Sequence, residues 1–486
     1  MSTEFASDRF LAARWHWEGR CLVVIGLSVL LAGNVPAADQ YFAGDGSALN
    51  AAKWGTSAAG PFTGNFTNGN NAWFSVPNGT GAGMSAQKTF GGIYATENFT
   101  MTSVGMTINL TGIVDVDVST GKTLHFGLQA FTTATGTGMN KKGDGTLALG
   151  ATSSDMPGGF TLTSGTVVML GANGMGNGGL TINGGTIAAS ASLDLSGRYS
   201  AGNQATLVGG DFTFGSSVGP AVSSANLTFT SQWALQNPDH TISIGGSGTY
   251  TLGGTLSLSE TYPNTNLTVN GSGGGKLFLK TGSNIDGTLT VSQAKLQIED
   301  GVNYATQIVV NNGGTLLLSG SAPFSKLNDS APVELGGSGS GRIDLTGITA
   351  THDEKVGTLT LSDNSIIDFG TLAGGNTFRF DQSSSLAWPG MLSIYNWTMG
   401  ADHLYFGTDD STGLTSSQLS RISFYSGNGT GFLGTPSFLP GGLGEIAVPE
   451  PSALIVALGL LGWIGWREHR QLRMAGRKLG ETRSFP

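Results

Sequence analysis

Cysteine is all but missing: Cys21 is the one thiol in 486 residues. It falls within a segment that reads as a signal peptide, so the exported remainder has no disulfide, no thiol chemistry and no cysteine-held zinc. Charge is scarce as well, at 11% of residues, with 23 Lys and Arg against 32 Asp and Glu and a net charge of −9. The arginines gather at the two ends, which leaves no basic face for phosphate and excludes nucleic acid as a partner. Proline is sparse and no Gly-X-Y period exists, so the 79 glycines do not make a collagen. A hydrophobic share of 39% is too high for a disordered tract. What remains is an all-β chain with many turns.

Each end carries a short apolar run. Arg9, Arg14 and Arg20 precede the run from Cys21 to Leu31, and Val35-Pro36-Ala37-Ala38 offers small residues at the spacing a signal peptidase reads. The expectation is a signal peptide over 1–38, with the Sec export machinery and signal peptidase as partners. Near the other end, Pro449 and Pro451 fix φ and lack an N–H, so a helix starts after them, near Ser452. The uncharged run from Ala453 to Trp466 follows, shorter than the roughly 20 residues that comfortably span a bilayer core. Trp463 and Trp466 stand where an interfacial belt would, and Arg467, Arg470, Arg473, Arg477 and Lys478 form a cytoplasmic anchor by the positive-inside rule. Membrane attachment by this one helix is expected.

Between the ends the chain repeats itself. Gly145-Thr146-Leu147-Ala148-Leu149, Gly165-Thr166-Val167-Val168-Met169 and Gly185-Thr186-Ile187-Ala188-Ala189 recur at twenty-residue spacing. Further copies begin at Gly254, Gly287, Gly314 and Gly357 with irregular gaps. Period-2 alternation puts the aliphatic residues on one side, so each copy reads as a half-buried strand behind a turn-forming glycine. Such a strand cannot bury its apolar side alone, whereas stacked copies build a continuous interior with Thr and Ser outside. The fold expected is therefore all-β: a parallel β-helix or solenoid with irregular rungs, plus an N-terminal signal helix and one C-terminal transmembrane helix. A β-sandwich is the alternative, since irregular gaps also suit hairpins.

Two stretches carry resemblances. Val448-Pro449-Glu450-Pro451-Ser452, the short apolar helix and the terminal arginines resemble the PEP-CTERM sorting signal of bacteria. That resemblance implies export, a transient hold by the helix, and processing by an exosortase-like membrane enzyme. The unit Lys142-Gly143-Asp144-Gly145-Thr146-Leu147-Ala148-Leu149-Gly150, running on through Gly158 to Val167, resembles the autotransporter-associated β-strand repeat of bacterial surface proteins. The resulting map is a signal peptide (1–38), an N-terminal β region and cap with Trp54 and Trp73 (39–140), β-solenoid repeats (141–362), a C-terminal β cap (363–447), the sorting signal (448–478) with its transmembrane helix (453–466), and a cytoplasmic tail (479–486). Within the C-terminal cap, Gly413 to Phe424 reads as a short amphipathic helix followed by a strand.

Chemistry is hard to find. Asp115 and Asp117 project from one side of a strand without a third partner, which reads as a solvated face. Gly336 to Asp344 has glycine where a calcium-binding coil needs aspartate, so it reads as a turn. Gly215-Ser216-Ser217-Val218-Gly219 matches a nucleophile elbow by letter only. The histidines are scattered with no H-x-x-x-H pair, and His352-Asp353-Glu354-Lys355 reads as an exposed charged loop. No catalytic residue, metal or cofactor is assigned.

The favoured function is an exported surface or extracellular-matrix structural protein of the cell envelope, with extracellular polysaccharide as its partner. A β-helix carbohydrate-active enzyme would require Asp, Lys and Arg facing out from consecutive rungs. An adhesin would be favoured by a stacked aromatic patch on the side of the solenoid. A true autotransporter would need a barrel of many alternating strands in place of one short apolar helix and a basic tail.

Overall fold

Alternation within each short strand, repeated in register, decides the architecture. In the computed structural model Thr146–Leu149, Thr166–Met169 and Thr186–Ala189 lie side by side as parallel strands, Thr on Thr and Leu147 on Val167 on Ile187. Leu147, Val167 and Ile187 are wholly buried, as are Leu149 and Met169. The description covers residues 37–448 except 50, 83–86, 132–134, 151–154, 200–204, 259–263, 302–304 and 322–324, together with Trp463, Trp466, Arg467 and Arg470.

Successive strands of the chain step from one face of the solenoid to the next, and each face is a sheet whose strands run parallel along the axis. The four sheets have 11, 15, 11 and 5 strands. The first face runs from Asp39–Phe42 to Leu256–Leu258 and the second from Asp45–Ala48 to Leu359–Leu361. A third face opens at Leu193–Asp194, and a fourth, short one at His352–Lys355. The cross-section therefore changes along the axis: faces one and two, then three faces together, then two and three, and finally three and four. This explains the irregular later copies. Leu256–Leu258 lies on the first face, Thr288–Ser292 on the second, Thr315–Gly320 on the third and Leu359–Leu361 on the second again. One motif serves three faces, so its spacing cannot stay constant.

The parallel pairing overturns the β-sandwich alternative, which requires antiparallel hairpins. Among the described residues, antiparallel strand pairs occur only at the two ends. Trp54–Gly55 pairs back on Asp39–Phe42, with Trp54 buried among Phe42, Phe66 and Phe74. At the far end Phe432–Gly434 closes on Ile422–Tyr425, and Glu445–Ala447 closes on His403–Phe406. These strands occupy edges that would otherwise template another chain. The helix expected between Gly413 and Phe424 is a single turn, Ser416–Leu419, followed by the strand Ile422–Tyr425. Thr415 and Gln418 form its capping box, and Gln418 Nε2 reaches on to the carbonyls of Ser383 and Leu386, both at 2.9 Å.

Corners are where glycine is required. Gly165 and Gly185 sit at φ +72° and +78°, and a Cβ on Gly165 would stand 2.3 Å from the Gly143 carbonyl oxygen. Beside the regular rungs an inward position holds a charge: Lys141, in register between Val116 and Leu162, is fully buried. Its Nζ donates to the carbonyls of Lys142 and Gly143, both at 2.6 Å, and of Ser164 at 3.2 Å, tying two turns together. Burial pulls this ammonium down to about 8, against Asp117 and Asp144, which hold it up.

Two expectations need correction. His352–Lys355 is a strand, not an exposed loop: His352 and Glu354 point inward and are buried, while Asp353 and Lys355 face solvent. The outside of the regular rungs is not solely Thr and Ser either. Ala148, Val168 and Ala188 form an outward apolar column, which Ala221 and Leu170 cover. Among the described residues no helix is long and apolar enough to cross a membrane; the expected signal helix and the 453–466 span lie outside them, apart from Trp463 and Trp466.

Candidate functional site: the outer faces of the solenoid

Once register is fixed, outward side chains fall into columns along the axis. On the second face Thr166, Thr186, Thr213 and Ser243 stand one rung apart, about 4.8 Å per step. Together they floor an open groove of about 470 Å³. None of these four hydroxyls hydrogen-bonds to another described residue. Asp144 and Asp211 stand exposed at its rim. Extending the register by two residues puts them in one column three rungs apart, with only Ser164 and Gly184 between. The Asp211 carboxylate accepts the Thr241 N–H at 2.7 Å, and that of Asp144 accepts no hydrogen bond from a described residue. Further along, the same face continues with Thr241, Thr268 and Thr290 in one column and Ser243, Asn270, Ser292 and Asn311 in the next. This is a long surface of neutral hydroxyl and amide groups.

The spacing limits the chemistry. Three rungs separate the two carboxylates by about 14 Å, whereas a glycosidase pair works at roughly 5 to 9.5 Å. The same distance is far too long for the two to share one cation.

On the first face, near the N-terminal end, Tyr41, Trp73 and Tyr94 occupy one outward column and stack, with ring centroids 5.6 and 4.6 Å apart. This is the aromatic patch that would favour an adhesin, and Trp73 is a half-buried member of it. Stacked in this way, the rings cover each other's faces and offer edges and hydroxyls to solvent. Burial, followed by the carboxylates of Asp115, Asp39 and Asp117, raises the Tyr94 hydroxyl above its usual range.

Asp115 and Asp117 do face the same way, and Asp115 is engaged by Lys142 Nζ at 2.8 Å and Asn140 Nδ2 at 3.1 Å. Of the Gly336 to Asp344 stretch only the glycine-rich part is the expected turn, with Gly336, Gly337 and Gly339 at positive φ and the Asp363 carboxylate accepting from Gly337 and Gly339 N–H. Arg342 to Asp344 instead open the strand Arg342–Ile348. Among the described residues no group of three or more His, Cys, Asp or Glu side chains is placed to hold a metal ion.

Sequence reasoning missed three polar clusters. The buried Glu354 carboxylate accepts from the N–H groups of Lys326 and Leu327, the Ser325 hydroxyl at 2.8 Å, and pairs with His352 Nε2 at 2.7 Å. Arg342 joins Asp344 and Asp368, whose remaining oxygens take the N–H groups of Thr346 and Gly370 and the Asn396 amide. This places Asp and Arg on consecutive rungs, but Asp344 and Asp368 are 6% and 1% exposed and fully engaged. His403 Nδ1 meets Glu445 at 2.6 Å, linking the last parallel strand of the fourth face to the closing strand. The i, i+2 spacing of His352 and Glu354 was the one available hint.

Of the expected sorting residues, Val448 is described and belongs to the fold: it is 6% exposed, at the end of the closing strand. Pro449, Glu450, Pro451 and Ser452 lie outside the described residues, as do Arg473, Arg477 and Lys478. Arg467 and Arg470 are helical, their guanidinium groups 5.6 and 5.3 Å from the ring centroids of Trp463 and Trp466. No family model, curated protein or solved structure matches the chain.

Proposed function

We propose that this chain is a non-catalytic structural protein of the bacterial surface or extracellular matrix, whose solenoid lies against polysaccharide. The observation behind the reading is the second face, where hydroxyl and amide columns repeat at rung spacing over many turns. Such a surface offers a hydroxylated polymer many weak hydrogen bonds at once, which is how a repeating surface gains avidity without one deep pocket. Export by the signal peptide and sorting by the 448–478 signal, with an exosortase-like enzyme as processing partner and transient membrane attachment, complete the proposal. The cell envelope or its outside is the proposed address.

Co-sedimentation of the full-length chain with insoluble polysaccharides tests the binding half. Thr186→Val and Thr213→Val together remove two hydroxyls at nearly constant size and should weaken retention, and unchanged retention would count against the face. For sorting, the informative truncation removes 449–486 and keeps Val448, because Val448 is part of the core. The shortened chain should fold and change its location; an unchanged location would sink the sorting half. A second reading, an adhesin, is favoured by the Tyr41–Trp73–Tyr94 stack, and Trp73→Ala would abolish ligand capture under it while sparing binding by the second face.

A further inference from the structure

The groove on the second face has a more specific character than the rest of that face. Its floor is hydroxyls without hydrogen-bond partners among the described residues, its rim bears two exposed carboxylates, and no Lys or Arg is in its lining. Some exposed acids elsewhere are paired, Asp115 with Lys142, Asp45 with Lys53 and Asp353 with Arg379, and others, such as Asp300 and Asp329, stand outside the groove without an ion pair to a described residue. At the groove neither carboxylate forms an ion pair with a described residue: the nearby cation, the Lys141 ammonium, is buried beneath the floor and bound to carbonyls, and Asp211 accepts only the Thr241 N–H. Ser164 and Gly184 keep the space between the two carboxylates low and open.

From this we infer that the groove binds a glycan strand carrying free amino groups, laid along the solenoid axis, an assignment that rests on the polysaccharide reading above. Hydroxyls of the strand meet the Thr166–Thr186–Thr213–Ser243 column, and ammonium groups meet Asp144 and Asp211 at the rim. The charge disfavours acidic glycans, because bringing a carboxylated or sulfated chain over the two rim carboxylates sets like charges together with no Lys or Arg in the groove lining to offset them. A basic peptide fits less well. Peptides add to sheets along free edges through main-chain hydrogen bonds, and the groove floor is the face of a sheet whose strands are already paired on both sides. The groove thus has partners for side-chain-like hydroxyl and ammonium groups and none for a peptide backbone.

The test uses the full-length chain in pull-downs at mildly acidic pH with matched particles of chitosan, chitin, cellulose and alginate, and with polylysine-coated beads. Chitosan should retain the protein best, in a salt-sensitive way, and alginate least. Asp144→Asn combined with Asp211→Asn should weaken chitosan binding about tenfold, the sum expected of two exposed charge pairs. A charge-matched control, Asp300→Asn with Asp329→Asn, lies at exposed positions outside the groove and should leave binding unchanged. Equal losses in both double variants, or equal retention on polylysine, would mean bulk attraction between an acidic protein and any polycation and would overturn the assignment. Binding to cellulose as strong as to chitosan, unaffected by Asp144→Asn and Asp211→Asn, would overturn it while leaving the polysaccharide reading intact. Failure to bind any of the four glycans would end both.

Discussion

The rungs from Lys142 to Ala189 and those from Arg342 to Ala447 solve the same stacking problem by different means. In the first group every turn has the same length, Thr meets Thr and apolar meets apolar in register, and glycine corners let one turn nest on the next. In the second group turn lengths vary, and the turns are held by carboxylates that gather N–H groups from neighbouring turns. Glu354 does this for Lys326 and Leu327, Asp363 for Gly337 and Gly339, and Asp402 for Asn376 and Thr398. Among the described residues, three of the six Lys or Arg ion pairs and both His–Glu contacts lie beyond residue 340. Regular repetition needs few specific contacts, and where repetition lapses, individually placed polar clasps replace it.

The largest effect that contrast implies is at Glu354. Replacing it with Ala would strand two backbone N–H groups, the Ser325 hydroxyl and His352 in a dry interior, and should destabilise the C-terminal rungs by about 3 to 5 kcal/mol. Hydrogen exchange should show the loss confined to the neighbourhood of residues 325–380; a small, uniform change would show that the clasp is not what holds these turns.

The next effect belongs to Lys141, the one clasp inside the regular region. Its folded value of about 8 lies below the ordinary 10.5, so between those pH values the unfolded chain holds a proton that the folded chain has released. Stability should therefore rise with pH across that window, on the order of 1 to 3 kcal/mol, and fall back as pH drops through about 8. Comparing urea midpoints of the wild type and Lys141→Met from pH 7.5 to 10 isolates the contribution, because the variant should lack this slope. Parallel profiles would show that the buried ammonium is not titrating there.

Smaller again is Gly165→Ala, which places a Cβ at positive φ and against the Gly143 carbonyl. A loss of about 1 to 2 kcal/mol is expected, read as a lower melting temperature. The least is Thr186→Ala on the outside of the next turn, expected to change stability by no more than about 0.5 kcal/mol. If the outer threonine proved as costly as the corner glycine, the division between a structural inside and a ligand-facing outside would be wrong.

The same contrast governs what could be read in the sequence. Leu147, Val167 and Ile187 announce the interior because period-2 alternation and a constant spacing agree, and the helix before Phe424 announces itself through Thr415 and Gln418. The migration of the core from one pair of faces to another leaves no such mark, since Leu256, Leu289 and Leu316 sit in the same motif on three different faces. His352 and Glu354 were misjudged because isolated charged residues are usually solvated, and only their mutual pairing and the waiting N–H groups make burial tolerable. The groove was invisible for a different reason. Thr166, Thr186, Thr213 and Ser243 become neighbours only when register is known, and a one-residue slip would turn them inward.

The central claim is that the outer faces bind polysaccharide without acting on it. Incubating the full-length chain with a panel of bacterial and algal polysaccharides, and measuring both retained protein and newly formed chain ends, tests it most directly. Retention on at least one polymer with no new chain ends is the predicted result, and any cleavage, or the absence of all retention, would contradict it.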